Sequence, residues 1–509
     1  MDISQNTSVP WHGGTWQEGH SGGSLLLRAI LALLVASSIG QVIYNLYLHP
    51  LKDIPGPLLA RCSLLWRFRY CMGGYWHLHI QKAHKHYGDV IRVSPNELSF
   101  ASAKAWKSVY GVQKGAPITK NEFWDMIGLG FDEGSIGSER DYHLAAQKRD
   151  LFADAMSNRN VAQQEPILQA FVSLFLDKMG KLGNTEQGLD MGQWFLYFGF
   201  DVGTKMAFGE SFECLVRETA HEWLTLVLPL FFFINIADNF RRIPLVVPLL
   251  KLIPMGWLRG VRGKIVKYSK DQTAKRLLRS GPQNDFFDNC VEKVQQGDVT
   301  EEEMASHLFT FSVAAGETQA TSMTGILYNL LANPEKRDEL QREVRGAYKN
   351  THDMDVATLL KLPYLQAVLK EGMRIHPAVP QGLPRASPGT MIEGVYVPQG
   401  TEVYVSAWST SHDERYFHDP DTFKPERWID PACQDVKEAS QPFGLGPRVC
   451  PGKRLAYAQM SIQLAKMIYT YDMELLDSSR DWNSGCKTHY FWWMPPLNVR
   501  FRPRASLGA

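Results

Sequence analysis

Residues 25–48 read LLLRAILALLVASSIGQVIYNLYL, a run of 24 residues with one charge, Arg28, close to its start. No other feature limits the chain so strongly. As a helix rising 1.5 Å per residue the run spans roughly 36 Å, enough to cross the hydrocarbon of a bilayer with some tilt. A cleaved secretory leader is a poorer reading. The apolar run is too long, no small-residue cleavage pattern follows it, and the leading segment carries no Lys or Arg before Arg28. A buried core helix is the remaining alternative. Lys52, Arg61, Arg67 and Arg69 follow shortly after the run, so the positive-inside rule puts residues 1–24 on the lumenal side and the rest of the chain in the cytosol.

After the span comes HPLKDIPGPLLA, in which Pro50, Pro55 and Pro57 favour extended backbone over helix. Residues 49–60 are therefore expected to be a stiff hinge holding a domain off the bilayer. From 61 to 509 there is no internal repeat and no compositional break, so one large domain is expected. Most of it has helical periodicity, and strand-like pieces cluster in 90–100 and 391–407. The fold class is mainly α with small β-sheets. Residues 223–260 are strongly apolar. They are either core helix plus loop, or a second, shallow contact with the membrane surface through Trp257 and the neighbouring arginines. The net charge of +1 gives no field for a polyanion, so nucleic acid is excluded as a partner. The seven cysteines are scattered, with no CxxC pair, as in a chain living with reduced thiols and without structural zinc.

One helix stands out. Thr300 with Glu303 forms a capping-box pattern, periodicity runs to Ala332, and Asn333-Pro334 stops it. Its centre, AAGETQAT (314–321), holds a glycine and two threonines, which is poor helix-forming material. Something other than helix stability selected those residues.

The chemistry-bearing stretch is FGLGPRVCPG, 443–452. A sulfur that binds metal must be a thiolate, and an ordinary cysteine is mostly protonated at neutral pH. Pro451 suits a first helical position and apolar residues recur beyond it, so Cys450 is expected at a helix N-cap, where free amides and the dipole favour negative charge. Gly444, Gly446 and Gly452 let backbone amides close around the sulfur, Phe443 shields it, and Arg448 offers a cation to an anionic group beside it.

This stretch matches Phe-x-x-Gly-x-Arg-x-Cys-x-Gly, the haem-ligand motif of the cytochrome P-450 superfamily, and the chain resembles that family over essentially its whole length. The resemblance implies haem b with Cys450 as iron ligand. It implies a buried charged triad of Glu371 and Arg374 (in KEGMRIHP) with Arg427 (in FKPERW), and propionate contacts from Arg448 and Arg385. It assigns AAGETQAT to the oxygen-binding part of a locally opened helix, with Glu317 and Thr318 as acid and alcohol of a proton relay. Ala315 stands where glycine is usual. In YHLAAQKRD, Arg149 matches a further propionate contact, although Ala145 occupies the family's aromatic position.

The activity so implied is insertion of one oxygen atom from O2 into a lipophilic small molecule, a hydroxylation in secondary metabolism as in microsomal members from filamentous fungi. No GxGxxG sits on a strand–helix unit. The resemblance implies electrons from NADPH through a separate reductase in the endoplasmic reticulum membrane, docking near Lys148, Lys453 and Arg454. Substrate contacts are expected from 123–131, 223–240 and Val379-Pro380, with membrane lipid around the anchor. Two alternatives stay open: a haem-thiolate isomerase or dehydratase that needs no reductase, and a non-enzymatic haem-binding membrane protein.

Overall fold

The computed structural model describes residues 21–113, 115–128, 130–243, 256–279, 281–288, 290–477 and 481–504. Helix α1, Ser21–Ile43, continues into a π-helical turn at Tyr44–Leu48. The side chains of the 25–48 run are exposed almost throughout, and the segment is a candidate membrane span.

The hinge expectation needs correcting. Residues 45–57 are docked on the domain, not held away from it. Leu51 is fully buried, Asn45 donates to the Cys62 carbonyl at 2.8 Å, and a short helix, Leu58–Cys62, starts directly after Pro57. The clamp is Arg92, a fully buried side chain that donates to the carbonyls of Asn45 (2.7 Å) and Pro95 (3.0 Å). Desolvation, helped by repulsion from Arg61, lowers its pKa to about 10. A lysine could not span those acceptors with one point charge.

The domain is a helical body with small sheets. Helix α2 is Leu65–Gly73, α3 Trp76–Tyr87, α4 Tyr142–Leu151, α5 Met191–Phe208, α6 Glu222–Phe240, α7 Gly256–Leu277, α8 Glu301–Ala332, α9 Pro363–Ile375 and α10 Lys453–Thr470. The larger sheet joins β1 (Val90–Ser94), β2 (Glu97–Phe100), β3 (Arg385–Ala386) and β4 (Glu402–Val405) in the order β1-β2-β4-β3, with β2 and β4 parallel and the other pairs antiparallel. β1, β2 and β4 fall inside the two stretches where alternation placed strands, whereas β3 lies just before the second of them. Residues 222–240 are a core helix: Trp223, Leu224, Val227, Leu230, Phe231 and Ile234 are buried. The surface-contact reading of 244–255 and of Trp257 lies outside the described side chains.

Helix α8 crosses the domain and packs along α5, where Gly199 and Gly203 allow close approach: a Cβ on Gly199 would meet the Gly316 carbonyl oxygen at 2.6 Å. Thr300 caps it, its hydroxyl accepting from the Glu303 amide at 3.0 Å. The Glu303 carboxylate turns instead to Lys148 and His307.

The charged triad is present and dry. Glu371 accepts from Arg374 at 2.8 and 2.9 Å, from Arg427 at 2.9 Å and from the Trp428 indole at 2.9 Å. Arg374 then reaches the carbonyls of Ser411 and Pro420, so α9 is riveted to the irregular segment that leads to the 443–452 loop. Removing the Glu371 carboxylate would leave the buried Arg374 with no carboxylate and Arg427 with Asp435 alone. Glu371→Ala should cost on the order of 3–5 kcal/mol, read as a lowered urea midpoint together with loss of bound cofactor.

Candidate active site

The loop that carries Cys450 is closed by its own backbone. Cys450 N–H donates to the Phe443 carbonyl at 2.8 Å, Val449 N–H to that of Gly446 at 3.0 Å, and Gly444 N–H to that of Gln441 at 2.9 Å. Gly446 has φ +76°, and a Cβ there would sit 2.0 Å from the Tyr110 carbonyl oxygen. No other residue type fits.

Two expectations for the cysteine are overturned. Helix α10 begins at Lys453 with Gly452 as its cap, so Pro451 is not the first helical residue and Cys450 lies two residues before the cap. The thiol pKa is also raised above its ordinary value. Desolvation outweighs the Gly452 amide and the charges of Arg149 and Lys453, which pull it down. Yet Cys450 is an exposed side chain. Both facts hold if the sulfur faces an interior cleft: accessible to a small group, shielded from bulk water.

Four cations near the cysteine loop end on carbonyl oxygens. Arg149 donates to Val449 at 2.7 Å. Arg448 donates to Glu139 at 2.7 Å, Arg140 at 3.2 Å and Asp141 at 3.1 Å. Arg385 reaches the Pro384 carbonyl at 2.9 Å, its guanidinium lying over Tyr110 and Trp124 at 5.0 and 5.6 Å. Lys120, which sequence reasoning missed, donates to the Gly137 carbonyl and lies 4.3 Å from the Trp124 ring centre. Among the described residues none of the four has a carboxylate within 4.0 Å. Burial, with repulsion from Arg448 and Arg385, lowers the Lys120 pKa well below its usual range, and burial takes Arg385 to about 10. Nothing in PITKNEFW marks that lysine, because the burial comes from packing against Trp124 and the 136–137 turn. A cavity of about 300 Å³ opens among Tyr110, Tyr142, His143, Arg385 and Arg448.

The centre of α8 is unbroken helix, which corrects the expected opening. Thr318 donates its hydroxyl to the Ala314 carbonyl at 2.6 Å, satisfying an acceptor inside the same turn. Thr318, Ala314 and Ala315 keep exposure on one face, whereas Glu317 is turned inward and buried. Desolvation raises the Glu317 pKa from 4.5 to about 7, with Thr321 pulling the other way. Gln319 donates to Gln463 at 2.7 Å, tying the Thr318 turn to α10 behind the cysteine loop.

The family model described as Cytochrome P450 matches residues 55–500. This chain belongs to the cytochrome P450 family. It is 43% identical to the cytochrome P450 monooxygenase ORF9 of Penicillium roqueforti (strain FM164), over 93% of each chain. It is 40% identical to the cytochrome P450 monooxygenase BOT4 of Botryotinia fuckeliana, over 96% of this chain and 93% of that one. A further relative, BOA3 of Botryotinia fuckeliana (strain B05.10), is 36% identical over 94% of this chain and 96% of its own. The chain is thus a P450 monooxygenase, and the family's cofactor is haem. The residues present fit that group. The dianionic edge of such a macrocycle would supply the counter-charge that Lys120, Arg385, Arg448 and Arg149 lack, and the exposed Cys450 thiol would be open to its iron.

Of the basic residues expected at the reductase-docking face, Lys453 and Arg454 are exposed. Lys148 is occupied, paired with Glu139 at 3.0 Å and Glu303 at 3.4 Å.

Glu317 gives a pH test. A carboxyl whose folded pKa is raised holds its proton in the native state at pH values where the unfolded chain has lost it. Its penalty therefore grows as pH rises from 4.5 and is complete above about 7. Glu317→Gln should remove a pH-dependent loss on the order of 2–3 kcal/mol. The check is a set of denaturation midpoints between pH 5 and 8.5: the variant's should fall less with rising pH than the wild type's.

Proposed function

We propose that Cys450 binds the iron of haem b, that Arg385, Arg448, Lys120 and Arg149 hold its propionates, and that the protein hydroxylates a lipophilic small molecule of secondary metabolism. The observation that carries this reading is the pairing of an exposed cysteine thiol with four nearby cations, two buried and two half-buried, that lack carboxylate partners. When bound, the thiolate-ligated haem supplies the oxidising power for breaking unactivated C–H bonds with O2.

The chain's own contribution is placement and protons. Thr318 Oγ1 holds a hydroxyl on the exposed face of α8, already oriented by the Ala314 carbonyl, and can present its oxygen to a water. Glu317, with a pKa near 7, can both release and take up a proton at neutral pH, which suits a relay from the interior. Phe123, Phe231 and Tyr490 form a stacked apolar wall (5.4 Å between Phe123 and Tyr490, 5.4 Å between Phe231 and Tyr490) that excludes water and favours a lipophilic substrate. Electrons come from NADPH by way of a separate reductase that meets Lys453 and Arg454. The 25–48 helix holds the protein in the endoplasmic reticulum membrane, with residues 1–24 lumenal and 61–509 cytosolic.

Cys450→Ser tests the ligand: the reduced, carbon monoxide-bound protein should lose the red-shifted Soret band that thiolate ligation gives. A variant that keeps the band would overturn the reading. Thr318→Ala tests the relay separately. Haem content should hold while product formed per NADPH consumed drops about tenfold or more, measured by parallel NADPH and product assays.

A further inference from the structure

Behind the 381–385 segment that carries Arg385 lies a second, small cavity of about 60 Å³, whose lining includes Glu97, Phe123, Gln381, Tyr404, Thr488 and Tyr490. Its charged wall is internally balanced. Arg67 donates to Glu97 at 2.8 Å, Asp238 at 2.7 Å and Asn239 at 2.6 Å. Arg241 joins Asp238 at 2.8 Å and Glu402 at 2.7 Å, and Arg242 pairs with the same two carboxylates. Three guanidinium groups face three carboxylates, so the wall asks for no ion.

What it leaves over is hydrogen-bonding capacity. Glu97 Oε1, Gln381 Oε1 and the Tyr404 hydroxyl have no partner, although Glu97 is 1% and Tyr404 4% exposed. A buried polar atom left unpaired costs about 1–3 kcal/mol, and here three line one cavity. The Gln381 amide is oriented by its donation to the Tyr490 carbonyl at 3.1 Å, which aims its oxygen elsewhere. Two of the three atoms can only accept; the third can also give. Their complement is a neutral group that donates one hydrogen bond and accepts another: a hydroxyl. At about 30 Å³ for each water-sized group the cavity has room for about two. The remaining wall is the Phe123–Tyr490 contact, shared with the apolar region.

We infer that this cavity seats the polar end of the substrate, so that the protein selects a lipophilic alcohol. The substrate hydroxyl donates to Glu97 and accepts from Tyr404, while Gln381 accepts from a second hydroxyl or a water. The inference rests on the monooxygenase reading of the cysteine site and adds the substrate's chemical class. The ion-pair wall serves as the frame: Arg67 fixes one Glu97 oxygen and leaves the other free.

The test uses the full-length holoenzyme and a panel of C10–C15 lipophilic alcohols, each beside its own methyl ether, titrated by the shift they cause in the haem spectrum. At least one alcohol should bind about tenfold more tightly than its ether, since the ether lacks the donor and leaves the acceptors unpaired. Tyr404→Phe removes a hydroxyl with no protein partner; it should leave the carbon monoxide spectrum as it is, leave the melting temperature unchanged or raised, and reduce the preference to near unity. Gln381→Met is the second variant and should weaken the same alcohols. Equal affinity for alcohols and ethers, which a cavity holding only water predicts, overturns the inference. So does a preference that survives both substitutions, or a panel in which no alcohol shifts the spectrum. Failure of the cysteine reading is separable, because the thiolate band would then be missing before any probe is added.

Discussion

A carboxylate shut away from solvent cannot stand alone, and Glu371 sets much of the geometry around it. It collects two guanidinium groups, an indole and the Lys424 amide, and its side chain and those of Arg374 and Arg427 are almost completely enclosed. Apolar residues of equal volume would often be as stable. What charges add is direction: each donor has one place to go, so α9 and the 418–435 segment meet in a single register. The cysteine loop follows that segment immediately.

The same logic, run in reverse, describes the cleft. There the cations, Lys120 and Arg385 buried and Arg149 and Arg448 half-buried, have only carbonyl oxygens to meet, an arrangement that opposes its own charge: Lys120 is driven well down in pKa by desolvation and by its neighbours Arg448 and Arg385. The two clusters divide the labour. One is complete and rigid; the other is poised for an anionic partner and gains most when that partner arrives.

Much of this was legible in order of residues alone. The 300–332 helix, its cap and its stop follow from Thr300, the apolar period and Asn333-Pro334, all local signals. The cysteine motif and the Glu371–Arg374 spacing are short-range too. Harder to read was whatever depends on distant packing. The loop end at Gly452 rather than Cys450 reflects hydrogen bonds back to Phe443 and Gly446. Docking of 45–57 depends on Arg92, on a strand far along the chain. The pKa of the thiol follows burial, which residue types beside it do not report. The Glu97–Tyr404 cavity brings together residues more than 300 positions apart, so no window of sequence contains it.

The Arg92 clamp has a mechanical consequence. The π-helical turn that ends the apolar helix is held by carbonyl bonds at Asn45 and by buried Leu51, leaving no slack between helix and body. A tether without slack behaves as a lever. Were that helix to span a lipid sheet, any tilt would rotate the body with it, and bilayer thickness, through the tilt it imposes, would set how deeply the body's underside rides in the headgroups.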